Sequence, residues 1–152
     1  NIGYTENNKK IFKQEGINAK MSEISAAWGL GMLPKINKII LQKKKIYYFY
    51  QKILNKKKYK IINFNHSNNF NYFPILLKNN KLRSLVIKKL NKLKIFPREY
   101  FFPSLNLLNH YKSKRMPISE EISSKVLCLP VFEGLQKKKI IQISELINNC
   151  EK

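Results

Sequence analysis

The run Gly16-Ile17-Asn18, just ahead of a helix-like segment, is where residue type and spacing first point to chemistry. Gly16 permits a tight turn, and Asn18 stands where a helix begins. At a helix start the unpaired amides and the positive end of the dipole favour an anion, and an Asn side chain can donate one further hydrogen bond to it. The same residue can instead cap the helix, and spacing alone favours the cap because Asn is common there. Other chemistry is scarce. His66 and His110 have no Cys or carboxylate at ligand spacing, so no metal site is expected. Cys128 and Cys150 cannot build a disulfide framework, and Cys128, inside the apolar run Val126–Leu129, reads as a small buried hydrophobe.

The net charge of +21 invites a nucleic-acid reading. The composition argues against it: of 30 basic residues three are Arg, and the excess lies in Lys, Asn, Ile, Phe and Tyr, all encoded by AT-rich codons. Phosphate recognition usually recruits Arg forks as well as Lys point charges. The runs Lys43–Lys45, Lys56–Lys58 and Lys137–Lys139 lie in or beside helical patterns, where a solvated face accounts for them. The chain opens on Asn1 with neither a basic nor an apolar leader region, and reads as a piece of a longer frame. No apolar run approaches the roughly 20 residues that span a bilayer, and the cysteine usage fits a reducing, cytoplasmic setting best.

The elements that must position these residues follow from periodicity. Residues 1–16 read as a polar connecting loop. A helix rich in small residues is expected from about Lys20 to Leu33, then, after Pro34, a long helix to about Lys56 whose apolar stripe Lys43 interrupts. Tyr59–Phe64 and Phe70–Leu77 read as strands, and Pro74 argues that the second lies at an edge or is irregular. A helix over Asn80–Leu93 should bury Leu82, Leu85, Val86, Leu90 and Leu93. A short extended piece at Ile95–Pro97 leads into the aromatic loop Arg98-Glu99-Tyr100-Phe101-Phe102-Pro103. Ser119 can cap a short helix with Glu120 and Glu121 in its first turn. Val126–Pro130 is a strand, and Gln136–Asn148 a closing helix turning Ile140, Ile143 and Ile147 inward. The sum is a small α/β layer hung on a long helix.

The stretch from Gly16 to Leu30, with Asn18, Lys20-Met21-Ser22-Glu23, Ala26-Ala27 and Gly29-Leu30, resembles a hallmark block of the DegT/StrS family of PLP-dependent sugar aminotransferases. The likeness continues through Tyr72-Phe73-Pro74-Ile75, Arg83, Arg98-Glu99-Tyr100-Phe101, Pro103 and Val126–Pro130, in matching order over nearly the whole chain. The resemblance implies the α/β C-terminal small domain of a fold-type I PLP-dependent transferase, a long helix plus a small sheet covered by helices. Residues 1–33 would close the large domain with an interface loop and helix, 34–56 would be the connecting helix, and 57–152 the small domain. It further implies a homodimer in which Asn18 reaches the phosphate of the neighbouring subunit's pyridoxal 5'-phosphate. The small-residue helix would lie near that interface. Arg98 and Tyr100 would stand near the mouth of the active site, one offering a phosphate contact and the other a hydroxyl contact to a nucleotide sugar. The alternative for the aromatic loop is that its rings pack beneath it.

PLP chemistry also needs a Schiff-base lysine and an acid that keeps the pyridine nitrogen protonated. In the resembled family both lie upstream of the Gly16–Leu30 block, and this chain contains no Asp. No catalytic residue is therefore expected within it. The activity, amination of a nucleotide-linked keto sugar by a donor such as glutamate, would belong to the full-length protein, in cell-surface polysaccharide or deoxysugar synthesis. A basic nucleic-acid-binding module and a non-catalytic relative of the PLP enzymes are the competing readings.

Overall fold

A computed structural model describes residues 4–5, 8–12, 19–56, 58–62, 69–109 and 114–150. The chain divides into two compact units, Asn1–Asn37 and Lys38–Lys152.

The first unit opens with strands where a loop was expected. β1 (Tyr4–Thr5) pairs antiparallel with β2 (Asn8–Phe12), Tyr4 opposite Phe12 and Thr5 opposite Asn8 with an irregular register between them. Backbone pairing makes this ribbon, and a polar run without clean alternation carries little sign of it. Helix α1 (Glu23–Met32) starts later than the pattern indicated, because Ser22 takes the cap: its Oγ accepts from the Ser25 amide at 3.3 Å. Glu23 adds the favoured charge to the first turn. A 3₁₀ turn over Leu33–Lys35 holds Pro34.

Helix α2 (Ile36–Ile53) buries Ile46, Tyr47 and Tyr50. Lys43, which breaks its stripe, donates to the Asn71 side chain at 2.6 Å, while Lys44 and Lys45 face solvent as expected. Three short strands follow: β3 (Lys60–Ile61), β4 (Phe73–Leu76) and β5 (Val126–Leu129), antiparallel in the order β3-β4-β5. All four residues of β5 are buried. Phe73 meets the Tyr47 and Tyr50 rings at 4.7 and 5.0 Å between centroids.

Pro74 does not mark an edge; β4 is the central strand. The register explains how. Cys128, opposite Pro74, directs both its N–H and its C=O at Arg98 on its far side. Pro74 is thus a non-hydrogen-bonded partner on that flank, and its missing N–H falls on the β3 flank. There the Ile62 amide reaches the Pro74 carbonyl at 3.4 Å, and the Ile62 carbonyl accepts from the Tyr47 hydroxyl at 3.3 Å.

Helix α3 (Asn80–Lys92) is capped by Asn79, whose Oδ1 accepts from the Leu82 amide at 2.8 Å. Its buried stripe is Arg83, Val86 and Leu90; Leu82 is only partly buried, and Leu85 and Leu93, expected inside, are exposed on its flanks. Helix α4 (Pro117–Lys125) starts at Met116–Pro117, before the expected cap. Ser119 instead meets the Ser104 hydroxyl at 2.8 Å. Helix α5 (Lys137–Asn148) turns Ile140, Ile143 and Ile147 into the core as their spacing predicted, and keeps Lys137–Lys139 in solvent. Each such side chain contributes roughly 1.5–3 kcal/mol of burial. Asn148 ties α5 to the end of α2: its Oδ1 accepts from the Asn55 amide and its Nδ2 donates to the Ile53 carbonyl, both at 3.1 Å.

Candidate functional site

The sheet is continued beyond β5 by a single antiparallel bridge, where the extended piece expected at Ile95–Pro97 delivers Arg98 to Cys128. The Arg98 amide donates to the Cys128 carbonyl at 3.0 Å, and the Cys128 amide returns a bond of 2.9 Å. Extended backbone sends successive side chains to opposite sides. Arg98 and Tyr100 accordingly share one side, and Glu99 takes the other.

On the first side lies a cavity of about 750 Å³ whose wall includes Arg98, Tyr100, Tyr72, Phe96, Cys128 and Lys139. The Arg98 guanidinium donates to the Tyr100 hydroxyl at 2.5 Å, and the Tyr72 ring meets that of Tyr100 edge-on at 5.3 Å. No carboxylate lines the cavity among the described residues. Cationic heads beside aromatic faces suit an anion that carries a planar ring. Burial pushes the Cys128 thiol up to about 11, so it contributes a neutral, unreactive surface.

Arg98 and Tyr100, the two residues the sequence marks for substrate, are therefore brought together. The aromatic loop does not pack as a core: Phe101 and Phe102 are exposed, and only Tyr100 is half-buried. Asn18 lies outside the described residues. The cap of α1 is Ser22.

Sequence reasoning did not connect Tyr72, Cys128 and Lys139 with Arg98; they reach the cavity from distant segments. It also gave Arg83 no function. A signal existed there: three Arg stand in a chain that otherwise uses Lys for its positive charge, and an Arg retained on a Lys-rich helix marks a place that needs a planar fork.

The described residues do not on their own fit pyridoxal phosphate. Its ring nitrogen needs an acid inside the cofactor pocket. Here Glu99, Glu120 and Glu121 are engaged by Arg83, Arg115 and Lys125, and Glu23, Glu133 and Glu145 lie on the exposed surface. No group of His, Cys, Asp and Glu suited to a metal occurs among the described residues, and no described helix is long and apolar enough to cross a membrane.

A long helix joined to a three-stranded sheet with helices packed on it matches part of the fold of solved PLP-dependent aminotransferases. The chain belongs to the DegT/DnrJ/EryC1/StrS aminotransferase family, whose model matches residues 1–148. It is 34% identical over 143 residues to the dTDP-4-amino-4,6-dideoxy-D-glucose transaminase of Escherichia coli, covering 87% of this chain and 38% of that protein. A Shigella dysenteriae protein of the same name is 34% identical over 145 residues, 89% of this chain and 39% of its own length. Among solved structures, DesI, crystallised in the presence of its TDP-sugar product, superposes with a TM-score of 0.80 at 26% identity, over 90% of this chain and 37% of DesI. The chain thus spans somewhat over a third of the length of these relatives. Pyridoxal 5'-phosphate is the cofactor of the family.

Proposed function

We propose that this chain is the C-terminal portion of a PLP-dependent aminotransferase that aminates a nucleotide-linked keto sugar. The net reaction moves an amino group from a donor such as glutamate to the sugar ketone, leaving a 2-keto acid and an amino sugar. The names of the transaminase relatives favour a dTDP-linked 4-keto-6-deoxyhexose as acceptor. Electron-sink chemistry is what PLP supplies in such enzymes. What the described residues offer is a grip on the substrate.

The observation that carries this reading is the pairing of Arg98 with Tyr100 on the wall of one cavity that no described carboxylate lines. Arg98 suits a diphosphate oxygen, Tyr100 a hydroxyl, and the neighbouring rings a nucleobase or sugar face. Helix α1 supports a larger assembly. It buries none of its own residues, and Ile24 and Trp28 are 85% and 75% exposed. An apolar face of this kind belongs against another protein surface, and a second subunit of a homodimer is the partner we assign, with Asn18 directed at its cofactor phosphate. The protein works in the cytoplasm, where nucleotide sugars are made.

The test uses the full-length enzyme, assayed for amino transfer from glutamate to a dTDP-4-keto-6-deoxyhexose. Arg98→Ala should raise the KM for the nucleotide sugar by about tenfold, the loss of one charge-assisted contact, and leave the KM for glutamate unchanged. Asn18→Ala should weaken retention of the cofactor during dialysis. Absence of amino transfer to any nucleotide keto sugar, with cofactor bound, would overturn the reading in favour of a non-catalytic relative. A saturable, salt-sensitive affinity for duplex DNA would instead favour the nucleic-acid module.

A further inference from the structure

Across the loop from the cavity, α3 carries a guanidinium in an unusual position. Arg83 is 2% exposed, an uncommon burial for a charged side chain. Each part of its planar head is occupied. Its Nε donates to Asn80 Oδ1 at 3.2 Å and one terminal nitrogen to the Ser123 carbonyl at 3.3 Å. The other terminal nitrogen pairs with Glu99 Oε2 at 3.2 Å, and the Phe102 ring stacks on the guanidinium carbon at 3.9 Å. Two of these four partners, Asn80 and Ser123, belong to helices of the scaffold. The other two, Glu99 and Phe102, belong to the aromatic loop.

The loop is therefore fastened at two places. The backbone bridge to Cys128 holds Arg98 at the sheet edge, and Arg83 holds Glu99 and Phe102 from the opposite side. Between the anchors stands Tyr100, whose side chain alternates away from Glu99 and onto the cavity wall. The Glu99 carbonyl also accepts from the Phe102 amide at 3.1 Å, closing the turn that Arg83 grips.

We propose that Arg83 is a positioning residue for substrate binding: by holding Glu99 and Phe102 it presents Arg98 and Tyr100 to the diphosphate sugar in the cavity. The proposal rests on the reading of Arg98 and Tyr100 as substrate contacts. A lysine in its place keeps the charge but cannot serve a carboxylate, two scaffold acceptors and a ring face together, so Arg83→Lys should rescue part of what Arg83→Gln loses.

Two measurements separate the loop's order from its use. In the full-length enzyme, an Arg-specific protease with the cut sites read by peptide mass reports on Arg98, with exposed Arg115 as internal control and Arg83 shielded by burial. In Arg83→Gln, cleavage after Arg98 should speed up about tenfold relative to Arg115, the signature of a local opening; Arg83→Lys should fall between. Equal acceleration at Arg98 and Arg115, or none at Arg98, overturns the proposal, the first because the effect is global. In the full-length enzyme, Arg83→Gln should raise the KM for the nucleotide sugar and leave that for the amino donor unchanged. A KM that responds to Arg98→Ala but not to Arg83→Gln overturns the positioning role. A KM that responds to neither overturns the substrate reading itself, and the proposal with it.

Discussion

The Tyr47 hydroxyl donates to the Ile62 carbonyl at 3.3 Å, on the flank of the central strand where Pro74 has no N–H to offer. A proline is compatible with the middle of this sheet because a tyrosine from α2 supplies the donor that the ladder lacks. Tyr47→Phe should cost about 1 kcal/mol in urea denaturation, since it leaves a part-buried carbonyl unpaired. In a Pro74→Ala background, where a backbone N–H is restored, the same substitution should cost measurably less. Equal costs in the two backgrounds would show that the hydroxyl and the missing amide are unrelated.

Tyr50 presents the opposite case. It is fully buried against Phe73, and its hydroxyl has no hydrogen-bond partner among the described residues. Burial alone drives its ionisation well above the ordinary range. Removing the hydroxyl removes a desolvated dipole and preserves the ring, so Tyr50→Phe should be neutral or stabilise the chain by up to about 1 kcal/mol. A clear fall in melting temperature would reveal a partner for that oxygen.

Cys128 makes stability depend on alkaline pH. Its thiol ionises near 9.0 when free and at about 11 when folded, because burial disfavours the thiolate. Between those values the unfolded chain has released the proton and the folded chain has kept it, so stability falls as pH rises. The contribution is at most about 3 kcal/mol. The difference in unfolding free energy between the parent chain and Cys128→Ala should shift in favour of the variant from pH 9 to 11. A difference flat across that window would mean that the thiol meets solvent.

Glu120 acts at the other end of the scale. The Met116 amide and the Asn106 side chain both donate to its Oε1 at 2.8 Å, and with Arg115 nearby they hold its carboxyl below the ordinary value of 4.5. Its contribution is present above that value and is lost as pH falls through the lower, folded one. Glu120→Gln should therefore destabilise at pH 6 and converge with the parent chain in strong acid. A constant offset at every pH would assign the effect to shape and not to charge.

Local pattern alone was sufficient for several features. Ile140, Ile143 and Ile147 recur at helical spacing and face the core because a helix has one inward stripe. Val126–Leu129 is a continuous apolar run and is buried on both faces. Motif order was enough to place the chain in its family. Tertiary structure decided the rest. Pro74 lies in the central strand because a side chain from another element compensates for it. Leu85 and Leu93 point out because the stripe that packing buries on α3 runs through Arg83, Val86 and Leu90. The cavity joins Tyr72, Arg98, Cys128 and Lys139, residues far apart along the chain. Sequence periodicity reports which face of one element is buried, since that depends on local geometry. Which residues meet across elements depends on packing and backbone pairing between distant segments, and no local pattern encodes it.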